Sequence, residues 1–247
     1  MSILGTRVLR TEDPRFLTHG GIYTADVSDP ALDGACYVHF VRASVPHARL
    51  RSVDVTGALE APGVVAAFTA ADLDIGPVKP PLPGLNEHMP QPVLASGVVR
   101  FAGEPVAIIV TERPHQGEDA AELVDIDYDL LPAVVDMSFA LDEGAPLLFP
   151  EAGTNVSITF GEQSADDLFD GCEVVVSQTI ENQRVAPAPL EVRACAAAWS
   201  GERLTAWIPN QGAQGTRDDL APLLGLSADQ IRIITPDVGG AFGAKFG

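Results

Sequence analysis

Cysteine is scarce in this chain. Only Cys36, Cys172 and Cys195 occur among 247 residues, and no two of them have the short spacing of a metal-binding pair. This pattern argues against a disulfide framework, a zinc site and an iron–sulfur cluster bound by this sequence alone. Isolated cysteines of this kind are typical of buried apolar positions, and we expect all three to be buried.

Basic residues are also few, since 15 Lys and Arg stand against 34 Asp and Glu and give a formal net charge of −19. Such a charge repels nucleic-acid phosphates and anionic membranes, so neither is an expected partner. The acids are spread along the chain, which is typical of a solvated surface, and we assign them no catalytic role.

Long apolar runs are missing as well. No stretch approaches the roughly 20 apolar residues of a membrane span, and "MSILGTRVLRTEDPRF" lacks the apolar core of a signal peptide. We therefore expect a cytoplasmic protein without a membrane span.

The sequence does contain enough apolar residues, 46% of the total, for a packed core. Short apolar runs bounded by turn signals predict strands at 35–44, 45–55 and 64–69, with a short helix before the last of these. The proline-rich stretch 78–92 predicts an exposed excursion.

A strand, helix and strand follow at 106–111, 115–124 and 125–136, which indicates an α+β domain. After it, a stretch rich in Gly, Pro and Asn predicts a linker. We place a first domain at 1–140, the linker at 141–165 and a second domain at 166–247.

The second domain shows apolar runs that predict strands at 172–181, 192–201, 203–210 and 231–236. A helix is predicted at 216–225, where three leucines share one face and Gly225 is a plausible residue after the helix end. Ser227 to Gln230 has the spacing of a capping box and predicts a short helical turn.

The last strand leads into a glycine-rich stretch, "PDVGGAFGAKFG". It fits neither a P-loop, since Ala244 separates Gly243 from Lys245, nor a Rossmann fingerprint. Glycines leave backbone N–H groups without Cβ shielding, so this stretch can approach an anionic group closely, and a following lysine can add charge. The alternative from the residues alone is a simple turn.

The order of motifs along the chain resembles the molybdenum-binding large subunit of the xanthine oxidase, aldehyde oxidase and carbon monoxide dehydrogenase family. The segments that carry this resemblance are "GTRVLRTEDPRFLTHGGIYTADV", "FVRASVPHARLRSVDV", "APGVVAAFTAADL", "VRFAGEPVAIIV", "QRVAPAPLEVRACAAAW", "AWIPNQGAQGTRDDLA" and "DVGGAFGAK". The resemblance implies an α/β hammerhead domain at 1–140, followed at 166–247 by the first part of a molybdopterin-binding domain that is incomplete here. Pro187 departs from the family, which has a histidine there.

The resemblance also implies a set of cofactor-binding residues. The backbone of the glycine turn would contact the pyranopterin, Phe242 would lie beside the metal, and Gln211 would donate an amide hydrogen bond at the molybdenum centre. The full set is Gln211, Gly239, Gly240, Ala241, Phe242 and Gly243. No protein ligand to molybdenum is expected, because the pterin dithiolene holds the metal. Taken alone, Gln211 would be an ordinary amide at a strand end.

The implied activity is that of a molybdopterin-dependent oxidoreductase, a hydroxylase or dehydrogenase. Its cofactor would be molybdenum–molybdopterin in the cytosine dinucleotide form, while iron–sulfur clusters and FAD would lie on partner subunits of a hetero-oligomer. Phe246 follows Lys245 where purine-oxidising relatives tend to carry Glu, which disfavours a purine substrate.

The family places its catalytic glutamate and an Ala-Tyr-Arg loop downstream of the glycine turn. We therefore expect no complete catalytic set in this chain, and we expect a downstream segment, or a second chain of a split subunit, to supply it. Glu191 belongs to a different motif and is not assigned as the base. Two other interpretations stay open: a non-catalytic scaffold that docks partner subunits, and an acidic binding protein unrelated to molybdenum.

Overall fold

The structure is a computed structural model, and it describes residues 4–5, 7–78, 80, 83–161, 167–183 and 185–246. In chain order, its helices and strands are α1 (Asp13–His19), β1 (Tyr37–Arg42), β2 (Ala48–Asp54), α2 (Thr56–Leu59), β3 (Val64–Thr69), β4 (Val98–Val99), β5 (Pro105–Thr111), α3 (Gln116–Ala121), β6 (Asp125–Leu130), β7 (Ala196–Ser200), β8 (Arg203–Trp207), α4 (Ala213–Leu223) and β9 (Ile231–Ile234). The mixture of helices and sheets confirms the predicted α+β class.

The chain forms two compact units. One is Gly34–Arg184, and the other combines Met1–Asp33 with Val185–Gly247. The grouping of the first segment with the last differs from the domains predicted at 1–140, 141–165 and 166–247, which stay a prediction. Residues 162–166, where the predicted linker ends, lie outside the described residues.

The Gly34–Arg184 unit contains two three-stranded sheets, with strand orders β1-β5-β3 and β4-β2-β6. β5 is the central strand of the first sheet and pairs with antiparallel neighbours on both sides. Val106, Ala107 and Ile109 of this strand are fully inaccessible, and α3 packs on one side of its sheet. The strands and helices predicted between residues 35 and 136 are confirmed in order.

The other unit is built on a three-stranded sheet of order β7-β8-β9, in which β7 and β8 form an antiparallel hairpin. β8, α4 and β9 form a strand–helix–strand crossover, since β8 and β9 are parallel. The predicted helix end at Gly225 is confirmed: its φ is 64°, and the N–H of Leu226 donates to the carbonyl of Ala221 at 2.8 Å. This is the hydrogen bond that closes a Schellman motif.

The strand predicted at 172–181 is wrong, because these residues form neither helix nor strand. Their β-branched side chains favour a strand, but a strand also needs a hydrogen-bonded neighbour, and none is present among the described residues. Val174, Val176 and Ile180 are exposed by 78%, 83% and 83%.

Two further observations concern the exposure of the cysteines and the length of the helices. All three cysteines are exposed, so the expectation that they are buried is also wrong. The longest helix of the described residues, α4, has 11 residues, and no helix there combines the length and apolar character of a membrane span.

Candidate functional site

The glycine-rich stretch after β9 forms a tight turn. Gly240 and Gly243 have φ of 96° and 84°. Phe242 lies between them with φ of 50°, and it is the only residue other than glycine with a positive φ in the part of the chain that the structure describes. The N–H of Ala244 donates to the carbonyl of Ala241 at 2.9 Å and closes the turn. We call residues 239–245 the glycine loop.

Gly239 lies directly against Glu191. The N–H of Gly239 donates to Oε2 of Glu191 at 2.8 Å, and the N–H of Glu191 donates to the carbonyl of Gly239 at 3.2 Å. A Cβ atom at position 239 would stand 2.5 Å from the Cβ of Glu191. Only glycine allows this approach.

Glu191 and Lys245 form a buried ion pair. Nζ of Lys245 lies 2.8 Å from Oε2 of Glu191, and the side chain of Lys245 is 1% exposed while that of Glu191 is 11% exposed. Lysine at this position was expected to offer its charge to an anionic ligand. The structure corrects that expectation, because the ammonium group is enclosed and donates to Glu191.

The carboxylate of Glu191 stays ionised. Burial by itself would raise its pKa, but hydrogen bonds from Lys245, Gly239 and Thr24, together with the positive charge of Lys245, outweigh burial and hold the pKa below its ordinary value of 4.5. A carboxylate held in this way is a poor general base, so Glu191 is not suited to that role.

Gln211 is joined to Lys245 by two hydrogen bonds. Its backbone N–H donates to the carbonyl of Lys245 at 3.0 Å, and its Oε1 accepts the backbone N–H of Lys245 at 3.4 Å. The second bond identifies the oxygen of the side-chain amide, because only oxygen accepts from an N–H. The Nε2 group therefore has no protein acceptor among the residues described.

Asn210 fixes the turn that carries Gln211, and sequence reasoning missed it. Its buried side chain donates to Oγ1 of Thr216 at 3.2 Å and accepts from the Gly212 N–H and the Thr235 hydroxyl at 3.2 and 2.9 Å. These bonds connect the end of β8, the start of α4 and the residue after β9. An Asn at a strand end is a turn signal that could have drawn attention to it.

Asp237 fixes the entry to the glycine loop. Its carboxylate accepts a bidentate pair of hydrogen bonds from Arg15 at 2.6 and 2.7 Å, and a third from the Ile22 N–H at 2.8 Å. The Arg15 guanidinium, and then the Ile22 amide, lower the pKa of Asp237 from 3.8 to about 2. The loop is therefore held at both ends, by Asp237 and by Lys245.

The glycine loop leaves backbone donors available. Outside the masked positions, the N–H groups of Gly240, Ala241, Phe242 and Gly243 meet no protein acceptor. A Cβ atom built at Gly243 would meet nothing within 4 Å, and the Phe242 ring is 75% exposed. The loop thus offers a row of unpaired donors beside an exposed ring, an arrangement suited to a polar or anionic group next to an apolar one.

Side chains that could bind a metal ion do not form a cluster among the described residues. No group of three or more His, Cys, Asp or Glu side chains within the described ranges could hold a metal ion. Pro187, the departure from the family pattern, is exposed, and Arg184 beside the matched Gln183 lies outside the described residues.

Two family models match this chain. The a/b hammerhead domain of aldehyde oxidase and xanthine dehydrogenase matches residues 20–132, and a molybdopterin cofactor-binding domain matches residues 148–247. The chain belongs to the aldehyde oxidase and xanthine dehydrogenase family, and it corresponds to the N-terminal portion of the molybdenum-binding large subunit.

Individual relatives agree with this assignment. The nicotine 6-hydroxylase large subunit of Paenarthrobacter nicotinovorans and the carbon monoxide dehydrogenase large chain of Afipia carboxidovorans are each 36% identical over 99% of this chain, which covers 30% and 32% of their lengths. The crystal structure of quinoline 2-oxidoreductase from Pseudomonas putida 86 superposes with a TM-score of 0.87 at 34% identity, over 99% of this chain and 31% of that one. The chain thus spans about a third of the length of these relatives.

The glycine loop fits the cofactor of this family in its donor set. A pterin with its phosphate presents hydrogen-bond acceptors, and the loop presents unpaired N–H groups at positions where Gly240 and Gly243 carry no side chain.

Proposed function

We propose that this chain is the N-terminal part of the large subunit of a molybdopterin-dependent hydroxylase or dehydrogenase, and that the glycine loop and Gln211 bind its cofactor. The observation that carries the proposal is the hydrogen-bonded connection between Gln211 and Lys245. It joins the two segments that carry unpaired donors.

Each residue has a role that follows from its contacts. Gly239 permits the close approach to Glu191, and the N–H groups of Gly240, Ala241 and Gly243 donate to polar atoms of the pterin. Phe242, whose ring is exposed, would supply an apolar wall of the cofactor site, and Nε2 of Gln211 would donate a hydrogen bond to the bound cofactor. When bound, the molybdenum cofactor supplies the electrophilic redox centre.

The proposal extends to the rest of the protein. We infer the cytosine dinucleotide form of molybdopterin, partner subunits that carry iron–sulfur clusters and FAD, and a cytoplasmic hetero-oligomer. The C-terminal part of the molybdenum subunit would supply the remaining catalytic groups. The hetero-oligomer is supported by the relatives, which are named as a large subunit, a large chain and a subunit of a dehydrogenase complex. A non-catalytic scaffold is not favoured, since these names describe enzymes.

Co-expression of the complete subunit with the neighbouring reading frames tests the proposal. We expect the purified complex to contain molybdenum, to release a cytosine nucleotide on acid hydrolysis and to show flavin and iron–sulfur absorption. A complex that assembles and contains no molybdenum would instead support the scaffold interpretation. If molybdenum is present and another nucleotide is released, only the cytosine form is wrong.

A further inference from the structure

Lys245 contacts both parts of the candidate site with different groups. Its ammonium group donates to Glu191 at 2.8 Å, while its backbone N–H and carbonyl both bond to Gln211. Its side chain is 1% exposed, so it has no access to solvent. Lys245 therefore links Glu191 to Gln211 in the turn that follows β8.

Glu191 collects donors from three separate segments. Oε1 accepts the N–H of Thr24 at 3.3 Å, and Oε2 accepts the N–H of Gly239 and the ammonium of Lys245, both at 2.8 Å. Thr24 comes from the first segment of the chain and the other two from either end of the glycine loop. Both carboxylate oxygens are thus in use, and the loop is fixed at its first and last residues.

The energetics of a buried ion pair allow a role in stability to be distinguished from a role in positioning the glycine loop. Removing one partner leaves a buried charge without compensation, which is strongly destabilising, whereas replacing both by neutral groups of similar size is often nearly neutral. Single and double substitutions of Glu191 and Lys245 can therefore separate the stability of the subunit from the hydrogen bonds that Glu191 accepts.

We propose that Glu191 and Lys245 are positioning residues, which set the glycine loop and Gln211 in the geometry that binds the cofactor. This inference rests on the proposed function. The ammonium of Lys245 is enclosed and both oxygens of Glu191 accept from protein donors, so neither side chain offers a free group to the cofactor. The Glu191 carboxylate positions Gly239 by accepting the Gly239 N–H. The backbone N–H of Lys245 donates to Oε1 of Gln211, which leaves Nε2 of Gln211 to donate to the cofactor.

The test uses the complete subunit in its complex, with three variants: Glu191→Gln, Lys245→Met and the two combined. Each single variant should lower both the melting temperature and the molybdenum content, the content by about tenfold or more. The double variant should recover most of the melting temperature, because no charge is left unpaired, although one N–H group loses its acceptor. Its molybdenum content should stay low, because the amide introduced at position 191 has one accepting oxygen and cannot hold both the Thr24 and Gly239 N–H groups.

Thr24→Pro is a second variant that leaves both charges in place. Thr24 begins a 3-10 turn, where proline is tolerated, and its N–H donates only to Glu191 among the described residues. We expect a fall of about tenfold to a hundredfold in molybdenum content, the effect of one hydrogen bond to a charged group. If the double variant fails to fold, this variant decides: wild-type content would contradict the proposal.

The control is the exposed ion pair on α4, where Arg217 and Asp218 lie 2.7 Å apart. Arg217→Gln with Asp218→Asn should change neither quantity. For the fraction that still carries metal, the electron paramagnetic resonance signal of molybdenum should differ between Lys245→Met and wild type, since the backbone of residue 245 that holds Gln211 is no longer fixed by the ion pair with Glu191. Recovery of both stability and molybdenum in the double variant would show a purely structural pair. Absence of molybdenum from the wild type would instead overturn the proposed function itself.

Discussion

The backbone N–H of Lys245 donates to the side-chain oxygen of Gln211, and the backbone N–H of Gln211 donates to the carbonyl of Lys245. This reciprocal pair joins the end of β8 to the end of the glycine loop. It also orients the side-chain amide, because an oxygen engaged by Lys245 leaves only the NH₂ group to meet a ligand. The donor function of Gln211 is therefore separable from its acceptor function.

Two substitutions at Gln211 separate these functions. Gln211→Glu keeps an acceptor for Lys245 and removes the donor, so we expect little change in unfolding temperature but a fall of about a hundredfold or more in kcat per bound molybdenum. Gln211→Ala removes both and should lower stability as well. Equal kcat in Gln211→Glu and wild type would contradict a donor role.

Gly239→Ala should destabilise the subunit by about 1–3 kcal/mol, because the added methyl group would overlap the Cβ of Glu191 at 2.5 Å. The matched control is Gly215→Ala within α4, where an added Cβ meets nothing within 4 Å. That change should stabilise by about 0.5–1 kcal/mol. Urea unfolding of both variants measures the difference, and equal stabilities would show that the close approach to Glu191 is not maintained.

The sequence predicted the parts of the fold that depend on local pattern. The buried strand β5 and the turn at Gly225 are encoded in apolar runs and in one glycine with positive φ. The failure at 172–181 has a different cause, because Val174 and Ile180 have strand propensity but no neighbouring strand among the described residues. Propensity becomes structure only when a partner supplies the hydrogen bonds.

The candidate site shows the same limit. Gln211 and the glycine loop could be singled out by motif, but the ion pair of Glu191 with Lys245 joins residues 54 positions apart. No local pattern indicates which acid a buried lysine will meet. The sequence therefore predicted that the charge of Lys245 faces the ligand, whereas in the structure its ammonium group is buried and donates to Glu191.

Stability should fall at acid pH through Asp237. Its folded pKa of about 2 lies below its ordinary value of 3.8. Its contribution is therefore fully present above 3.8 and is lost as the pH falls toward 2. Unfolding free energies measured across this range should decline less steeply in Asp237→Asn than in wild type. Arg15→Gln should also flatten the decline, because it removes the partner that lowers the pKa. Parallel curves for all three proteins would show that the ion pair is not formed in solution.

Phe242 should matter to the reaction and not to the fold. Its ring is 75% exposed, so Phe242→Ala should change the free energy of unfolding by less than about 0.5 kcal/mol. As the proposed apolar wall beside the metal, however, its loss should raise KM or lower kcat. Phe160→Ala is the matched control, because Phe160 is also 75% exposed and belongs to the other compact unit. Steady-state kinetics with the same effect in both variants would remove Phe242 from the site.

The central claim is that the glycine loop binds a molybdopterin, and the molybdenum content of the purified complex tests it most directly. Gly243 has φ of 84° and open space where a Cβ would stand, and Gly144 matches it with φ of 83° and equal space. Both Val substitutions introduce similar backbone strain, but only Gly243→Val places a side chain over the unpaired N–H groups. We predict molybdenum in the wild-type complex and an equal content in Gly144→Val, with loss of molybdenum in Gly243→Val. Wild-type molybdenum in folded Gly243→Val, or none in the wild-type complex, would contradict this claim.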